Sequence, residues 1–444
     1  MAETFDIVFK GGTLVTHAGE GLADIGVRDG RIREIGDIAG SRGGEIVDAR
    51  GLHVLPGVID TQVHFREPGM EHKEDLETGS RSAVLGGVTA VFEMPNTSPP
   101  TTSAEALAAK VAAGTGRMHC DFAFFVGATR ENAGDLGHLE RLPGAAGVKI
   151  FAGSSTGDLL VEDDETLTQV FSTIRRRCSI HSELESRLRE RLSMRRVGDP
   201  ASHYEWRDEA AALESTRRLL RLARATGARI HILHVSAGAE MELLSHHKDV
   251  ATVEVTPQHL TLSGPEDYER LGTKVQQNPP IRDRAHRNLL WWGLEQGVVD
   301  ILGSDHAPHT LEEKAAIYPA TPSGMPGVQT LVPVMLDHVN AGRLSLARFV
   351  DLTSAGAQRL FGIACKGRIA VGYDADLTIV DLKAERVIED GWIGSKAGWT
   401  PFAGRKVTGW PMGTVLRGHR AMWEGELGKA TGQAVRFGEA LPKG

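Results

Sequence analysis

The polar and apolar positions change rhythm twice along the chain. From 5 to 55, short alternating runs ("FDIVFKGG", "ADIGVRDGRIREIGD") are broken by Gly and Asp, and 367–424 repeats that texture ("GRIAVGYDADLTIVDL", "GTVLRGHRAMWEGE"). Alternation of this kind predicts half-buried strands, and Asp29-Gly30 predicts a two-residue hairpin turn. Neither end alone carries enough strands for a stable sheet. The simplest arrangement pairs them into one small composite β-sandwich domain, residues 1–55 plus 365–444, with 56–364 inserted between.

The inserted part is different. Near-continuous apolar runs fall at 58–64, 88–94, 121–127, 147–152, 178–182, 229–235, 251–256 and 300–305. Helix-like stretches such as 208–226 and 285–297 separate them. Fully apolar strands alternating with helices predict a parallel sheet covered on both faces. Eight such strands predict closure into an α/β barrel of the (β/α)8 TIM type.

Composition narrows the function classes. Fifty basic against 58 acidic residues give a net charge of −8, which argues against a nucleic-acid partner held by bulk electrostatics. MAETFDIVFK lacks the basic-then-apolar pattern of a secretion signal, and no run of ~18 apolar residues is present to span a membrane. Three widely spaced cysteines, Cys120, Cys178 and Cys365, suit reduced thiols in the cytoplasm.

The candidate chemistry sits at strand ends. His64, Asn96, Lys149, His181, His234 and Asp305 each lie at or just past the C-terminal end of a predicted strand, and in a barrel those ends converge on one face. Neutral imidazoles and a carboxylate suit a divalent metal such as zinc. With no Ser or Cys in a nucleophile motif, water is the expected nucleophile, activated by the metal. Lys149 has two readings. Desolvation of its ammonium favours the neutral amine, which reacts with CO2 to give a metal-bridging carbamate; alternatively it pairs with an acidic group or a substrate anion. The stretch "IDTQVHFREPG" nearly spells Asp-x-His-x-His, with Gln62 where the first histidine belongs.

These motifs resemble the metal-dependent cyclic amidohydrolases, and within them the dihydroorotases, over nearly the whole chain. "PGVIDTQVHFREPG" is similar to the first-strand motif and "HKEDLETGSRSAVLGGVTAVFEMPNT" to the following helix and second strand. "GVKIF", "HVS", "NPPIR" and "GSDHAPH" resemble the lysine strand, the sixth-strand histidine, a substrate loop and the last-strand aspartate. The resemblance implies zinc-dependent, reversible hydrolysis of (S)-dihydroorotate to N-carbamoyl-L-aspartate in pyrimidine biosynthesis, by metal-activated hydroxide. It implies one or two Zn2+ ions held by His64, Lys149 as carboxylysine, His181, His234 and Asp305, with Asp305 also as general acid and base. Gln62 is a doubtful ligand, since an amide is poorer than imidazole for zinc. Arg66, Asn96 and His309 would hold the substrate carboxylate, and Asn278 and the loop at Gly324 would meet the ring. A rim salt bridge with Glu67 is the competing role for Arg66.

Two further departures are Gln258 in "VTPQHL" and the lack of Asn-Pro-Ala before "TSAGAQRLFG". The alternatives are an allantoinase- or hydantoinase-like cyclic amidase, or an inactive scaffold for aspartate transcarbamoylase, for which Gln62 speaks. "RLRERLSMRR" predicts a solvated amphipathic helix, Trp291-Trp292 a helix packed on the barrel, and His306 a residue orienting Asp305 or assisting at the site. The expected partners are a small cyclic amide, a second copy in a two-fold homodimer, and possible association with a transcarbamoylase.

Overall fold

The computed structural model describes residues 4–155 and 159–438. Five strands open the chain: β1 (Phe5–Thr16), β2 (Gly19–Arg28), β3 (Arg31–Gly36), β4 (Gly43–Asp48) and β5 (His53–Pro56). Eight follow in the middle: β6 (Val58–Val63), β7 (Val88–Glu93), β8 (Asp121–Gly127), β9 (Ala145–Phe151), β10 (Cys178–His181), β11 (Ile230–Ile232), β12 (Ala251–Val255) and β13 (Ile301–Leu302). Four more end it: β14 (Leu377–Val387), β15 (Lys406–Leu416), β16 (His419–Trp423) and β17 (Glu426–Leu427).

The middle strands form one parallel sheet in the order β6 to β13. Its two edges meet through a bridge between Val63 and His306, with the His64 amide donating to the His306 carbonyl at 2.7 Å. The sheet thereby closes into a (β/α)8 barrel, and the Ser304 amide adds a bond across the seam to Asp60 Oδ1 at 3.0 Å. Every residue of β6, β7, β8 and β9 is buried, as expected for strands covered on both faces. Alternate residues serve different cores. Val91 and Phe124 pack in the large cluster with helix residues such as Leu107 and Leu219, whereas Phe92 and Phe125 belong to a separate cluster with Ile59, Ala146, Ile301 and Phe361. Phe361 and Phe437 lie 5.3 and 5.8 Å from Phe92 and plug the end of the barrel where the strands begin.

Helix limits follow local chemistry. The helix Glu209–Thr226 starts at Asp208, whose carboxylate accepts from the Ala211 amide, and stops at Gly227 with φ of 74°. The "RLRERLSMRR" stretch is helical only over Glu185–Glu190 before a 3-10 turn, and Arg191 and Arg196 pair with Asp208 and Glu205. Of the tryptophan pair, Trp291 is buried and donates to the Leu260 carbonyl at 2.8 Å, while Trp292 stays exposed.

The terminal strands join in a separate mixed β-domain of nine hydrogen-bonded strands, in the order β17-β16-β15-β14-β5-β1-β2-β3 with β4 beside β1. The junction between the two chain ends is the antiparallel pairing of β5 with β14. The β2–β3 turn has Asp29 and Gly30 at φ of 53° and 71°, the conformation expected for this hairpin. No helix among the described residues is long and apolar enough to cross a membrane.

Candidate active site

At the end of the barrel where the strands finish, Gln62, His64, Arg66, Asn96, Lys149, His181, His234, Asn278, Asp305 and Gly324 line one pocket. Chain segments more than two hundred residues apart meet there, each delivered by the tip of a different strand or the loop behind it. Phe151, Ser155, Ala307 and Ser323 complete the lining and were not singled out by sequence. The cavity has a volume of about 20 Å3, room for about one water molecule. Arg66, His234 and Asp305 have φ of 64°, 37° and 44°, left-handed values that bulky residues rarely adopt. Backbone strain of this kind clusters where side chains must be aimed at a site.

Two side-chain pairs organise the floor. His181 Nδ1 lies 3.1 Å from His234 Nε2, and His181 Nε2 lies 3.0 Å from Glu183 Oε2. Burial would raise the Glu183 pKa, but Arg207 and His181 outweigh it and hold the carboxyl at about 2. Glu183 is therefore a fixed anion that accepts the His181 Nε2 proton and leaves the Nδ1 lone pair facing His234. Burial keeps both imidazoles neutral. Glu183 lies only two residues after His181, a spacing that could have flagged it.

The second pair is His64 with Asp305. His64 Nδ1 is 2.8 Å from Asn96 Oδ1 and its Nε2 is 3.2 Å from Asp305 Oδ1, which also accepts from Gln62 Nε2 at 3.0 Å. A neutral imidazole has one proton for two oxygen acceptors, and burial holds His64 neutral. Its one proton serves one of the two contacts, and the other ring nitrogen keeps a lone pair of the kind that a divalent cation accepts. The donor chemistry thus fits a divalent metal. Among the described residues, however, no three His, Cys, Asp or Glu side chains converge as a ready-made metal cluster. Lys149, buried within electrostatic reach of His64, His181 and Asp305, is the remaining group that could complete either pair.

The wall beside Asp305 is cationic. Arg66 is buried, its Nε donates to the Pro308 carbonyl at 3.2 Å, and its Nη1 has no partner among the described residues. Burial lowers its pKa to about 10, so it stays charged at neutral pH. The rim salt bridge with Glu67 does not form, because Glu67 pairs with Arg117 at 2.6 Å. His309, fully buried, lies behind the lining, 3.3 Å from Arg66 Nη2. Burial, then Arg66, Lys73 and Lys314, hold His309 well below the usual imidazole range. Its Nε2 donates to the Ser323 carbonyl at 3.1 Å and its Nδ1 accepts from Lys73 at 3.1 Å.

His306 does not orient Asp305. Its Nδ1 accepts from the Gly327 amide at 3.1 Å and its Nε2 lies 3.4 Å from Glu74. The strained turn at Asp305 sends the next side chain to the far side of the segment. Gln258 is likewise outside the lining and donates to the Ser304 carbonyl at 2.6 Å. His259 stays beside it, near the carbonyl of Pro279.

The sequence pattern of the amidohydrolase family matches residues 53–421. The chain belongs to the amidohydrolase family. A dihydroorotase of Halobacterium salinarum is 38% identical over 434 residues, covering 94% of this chain and 99% of that protein. An allantoinase of Rubrobacter xylanophilus is 36% identical over 449 residues, covering 98% and 97%. The structure of an L-hydantoinase (dihydropyrimidinase) from Arthrobacter aurescens superposes with a TM-score of 0.91 at 31% identity, covering 97% of this amidohydrolase and all of that chain. Overall identity therefore does not choose among ring substrates, and the choice rests on the pocket.

Proposed function

We propose that this amidohydrolase, a hydrolase of cyclic amides, is a dihydroorotase that reversibly opens (S)-dihydroorotate to N-carbamoyl-L-aspartate. The observation that carries the reading is the buried Arg66 guanidinium with Nη1 unpartnered at the pocket wall. A buried charge with a donor unmet is costly until an anion arrives. Dihydroorotate carries a carboxylate on its ring, and a planar guanidinium is suited to it. Hydantoin, allantoin and dihydropyrimidines have no such carboxylate.

In this reading the carboxylate lies on Arg66, with Asn96 and the polar wall around His309 beside it. Asn278 and the Gly324 loop face the ring. His64, His181, His234, Asp305 and a carboxylated Lys149 would hold zinc, and Gln62 stands in the remaining position. Zinc, when bound, lowers the pKa of water to ~7 and polarises the amide carbonyl. Burial brings Lys149 to about 7, which leaves a sizeable fraction as the amine that carboxylation requires. Asp305 takes the proton of the attacking water and returns it to the ring nitrogen as the amide bond breaks. Gln62 donates to Asp305 Oδ1 and so fixes that carboxylate's rotation.

Turnover of dihydroorotate, allantoin, hydantoin and dihydrouracil by the zinc-loaded protein and by Arg66→Gln tests this. The wild type is expected to prefer dihydroorotate. Arg66→Gln is expected to lose at least ~100-fold in kcat/KM for it while rings without a carboxylate change only a few-fold. Preference for allantoin would replace the reading with an allantoinase. Absence of turnover in both directions would favour the inactive scaffold.

A further inference from the structure

Lys314 ends the short helix Leu311–Lys314 that follows the Asp305–His309 segment, and its side chain is turned inward and only 1% exposed. Its ammonium donates to three main-chain carbonyls, Gln276 at 3.2 Å, Pro322 at 2.9 Å and Gly324 at 3.1 Å. An ammonium has three N–H donors and no acceptor, so three converging carbonyls satisfy it completely. Burial pulls its pKa down to about 7, and the nearby Glu313 carboxylate opposes that shift.

The carbonyls belong to two loops that otherwise meet through few bonds. The Gly324 amide donates to the Gln276 carbonyl at 2.9 Å, and Gln276 Nε2 reaches the Thr321 carbonyl and Ser323 Oγ at 3.0 and 3.1 Å. One loop carries Asn278 into the pocket and the other carries Ser323 and Gly324. Gly324 has φ of 138°, and a Cβ there would fall 2.4 Å from the Ala307 carbonyl oxygen. The loop is thus packed tightly against the Asp305 segment, and Lys314 is the charge that ties its other side down.

We propose that Lys314 is a positioning residue that locks the 276–279 and 322–324 loops together and so sets where Asn278 and Gly324 meet the substrate ring. The inference rests on the pocket being the substrate site, as under the proposed function. Lys314→Met keeps the length of the side chain and removes every donor, whereas Lys314→Gln keeps one amide group to donate.

Two measurements on the full zinc-loaded chain decide it. Steady-state kinetics use whichever ring the wild type opens, and hydrogen exchange follows the peptide over 320–327. Lys314→Met is expected to raise KM about tenfold with kcat within about threefold, and to speed exchange at 320–327 while leaving the helix 209–226 unchanged. Lys314→Gln is expected to fall between, and replaces the Met variant in both assays if that variant does not fold. Unchanged KM overturns the proposal, whether or not exchange accelerates, because Lys314 would then be only structural. If the wild type opens no ring, the proposed function fails on its own account. Exchange at 320–327 then decides the loop lock alone, and unaltered exchange overturns it.

Discussion

Gln62 shows what one residue type can and cannot do in this pocket. Its Nε2 donates to Asp305 Oδ1 at 3.0 Å, and its buried Oε1 has no partner among the described residues. A carboxamide at this position offers a hydrogen to the carboxylate where an imidazole would offer a lone pair to a metal, and neutral oxygen is the weaker zinc donor. Gln62→His is therefore expected to raise zinc affinity at the Asp305 side, by about tenfold. Metal analysis after dialysis against graded chelator reads it; identical retention by the two proteins would defeat the idea that position 62 governs occupancy. The strand-tip residues were legible in sequence because each interrupts an apolar run at a predictable place. Glu183 is betrayed only by its spacing from His181, whereas Lys73 and Lys314 come from segments of no marked periodicity and acquire meaning only through their folded-state partners. The orienting role that spacing suggests for His306 is not realised, because spacing does not reveal that the backbone turns left-handed at Asp305.

The elements themselves were legible wherever burial on both faces makes a strand continuously apolar. All eight middle strands lie where those runs predict, though β13 is reduced to Ile301–Leu302. The segment lacking Asn-Pro-Ala becomes a π turn over Asp351–Ala355, and Gly356 after it lets the chain approach Asp300, where a Cβ would sit 2.8 Å from the carbonyl oxygen. No sequence pattern announces a π turn, because its spacing differs from a helix by one residue. Pairing between elements was equally hidden. Glu93 ends β7 and forms a buried ion pair with Lys110 of the helix Ala104–Gly114. Burial pushes Glu93 up to about 7 and Lys110 down, and mutual attraction opposes both shifts. Removing one partner strands a buried charge, so Lys110→Met is expected to cost about 3–5 kcal/mol. Lys110→Met with Glu93→Leu is expected to recover most of that loss. Chemical denaturation of both variants checks it, and a double variant no more stable than the single would show that the pair is not coupled.

At the scale of the molecule, the composite β-domain was inferred from texture alone, but what welds it to the barrel was not. Asp121 at the start of β8 accepts from Arg417 at 2.6 Å and pairs with Lys366 at 2.5 Å, and Thr378 Oγ1 donates to the Gly87 carbonyl at 2.7 Å. The interior also holds two sets of ionisable groups that act oppositely on stability. Burial lowers His203 and His231 to about 3 and His259 and His338 to about 4. Each contributes stability that is present above the unfolded pKa near 6.5 and lost as pH falls through the folded value. Burial raises Asp60, Glu93 and Glu240 to about 7 and Glu254 to about 8. Their contribution is present below the unfolded pKa and lost as pH rises through the folded value. The two slopes oppose each other between roughly pH 4 and 7, so a flat wild-type profile would conceal large individual effects. Glu240 separates them cleanly, because its Oε1 accepts from Thr216 Oγ1 at 2.6 Å and a glutamine can keep that bond. Glu240→Gln removes a group that resists ionisation, and the variant is expected to gain roughly 1–3 kcal/mol relative to wild type on going from pH 5 to pH 8. Thermal unfolding of both proteins at the two pH values measures the difference. A variant-minus-wild-type shift in Tm that is the same at pH 5 and pH 8 would mean that Glu240 ionises in the folded protein as readily as in the unfolded chain.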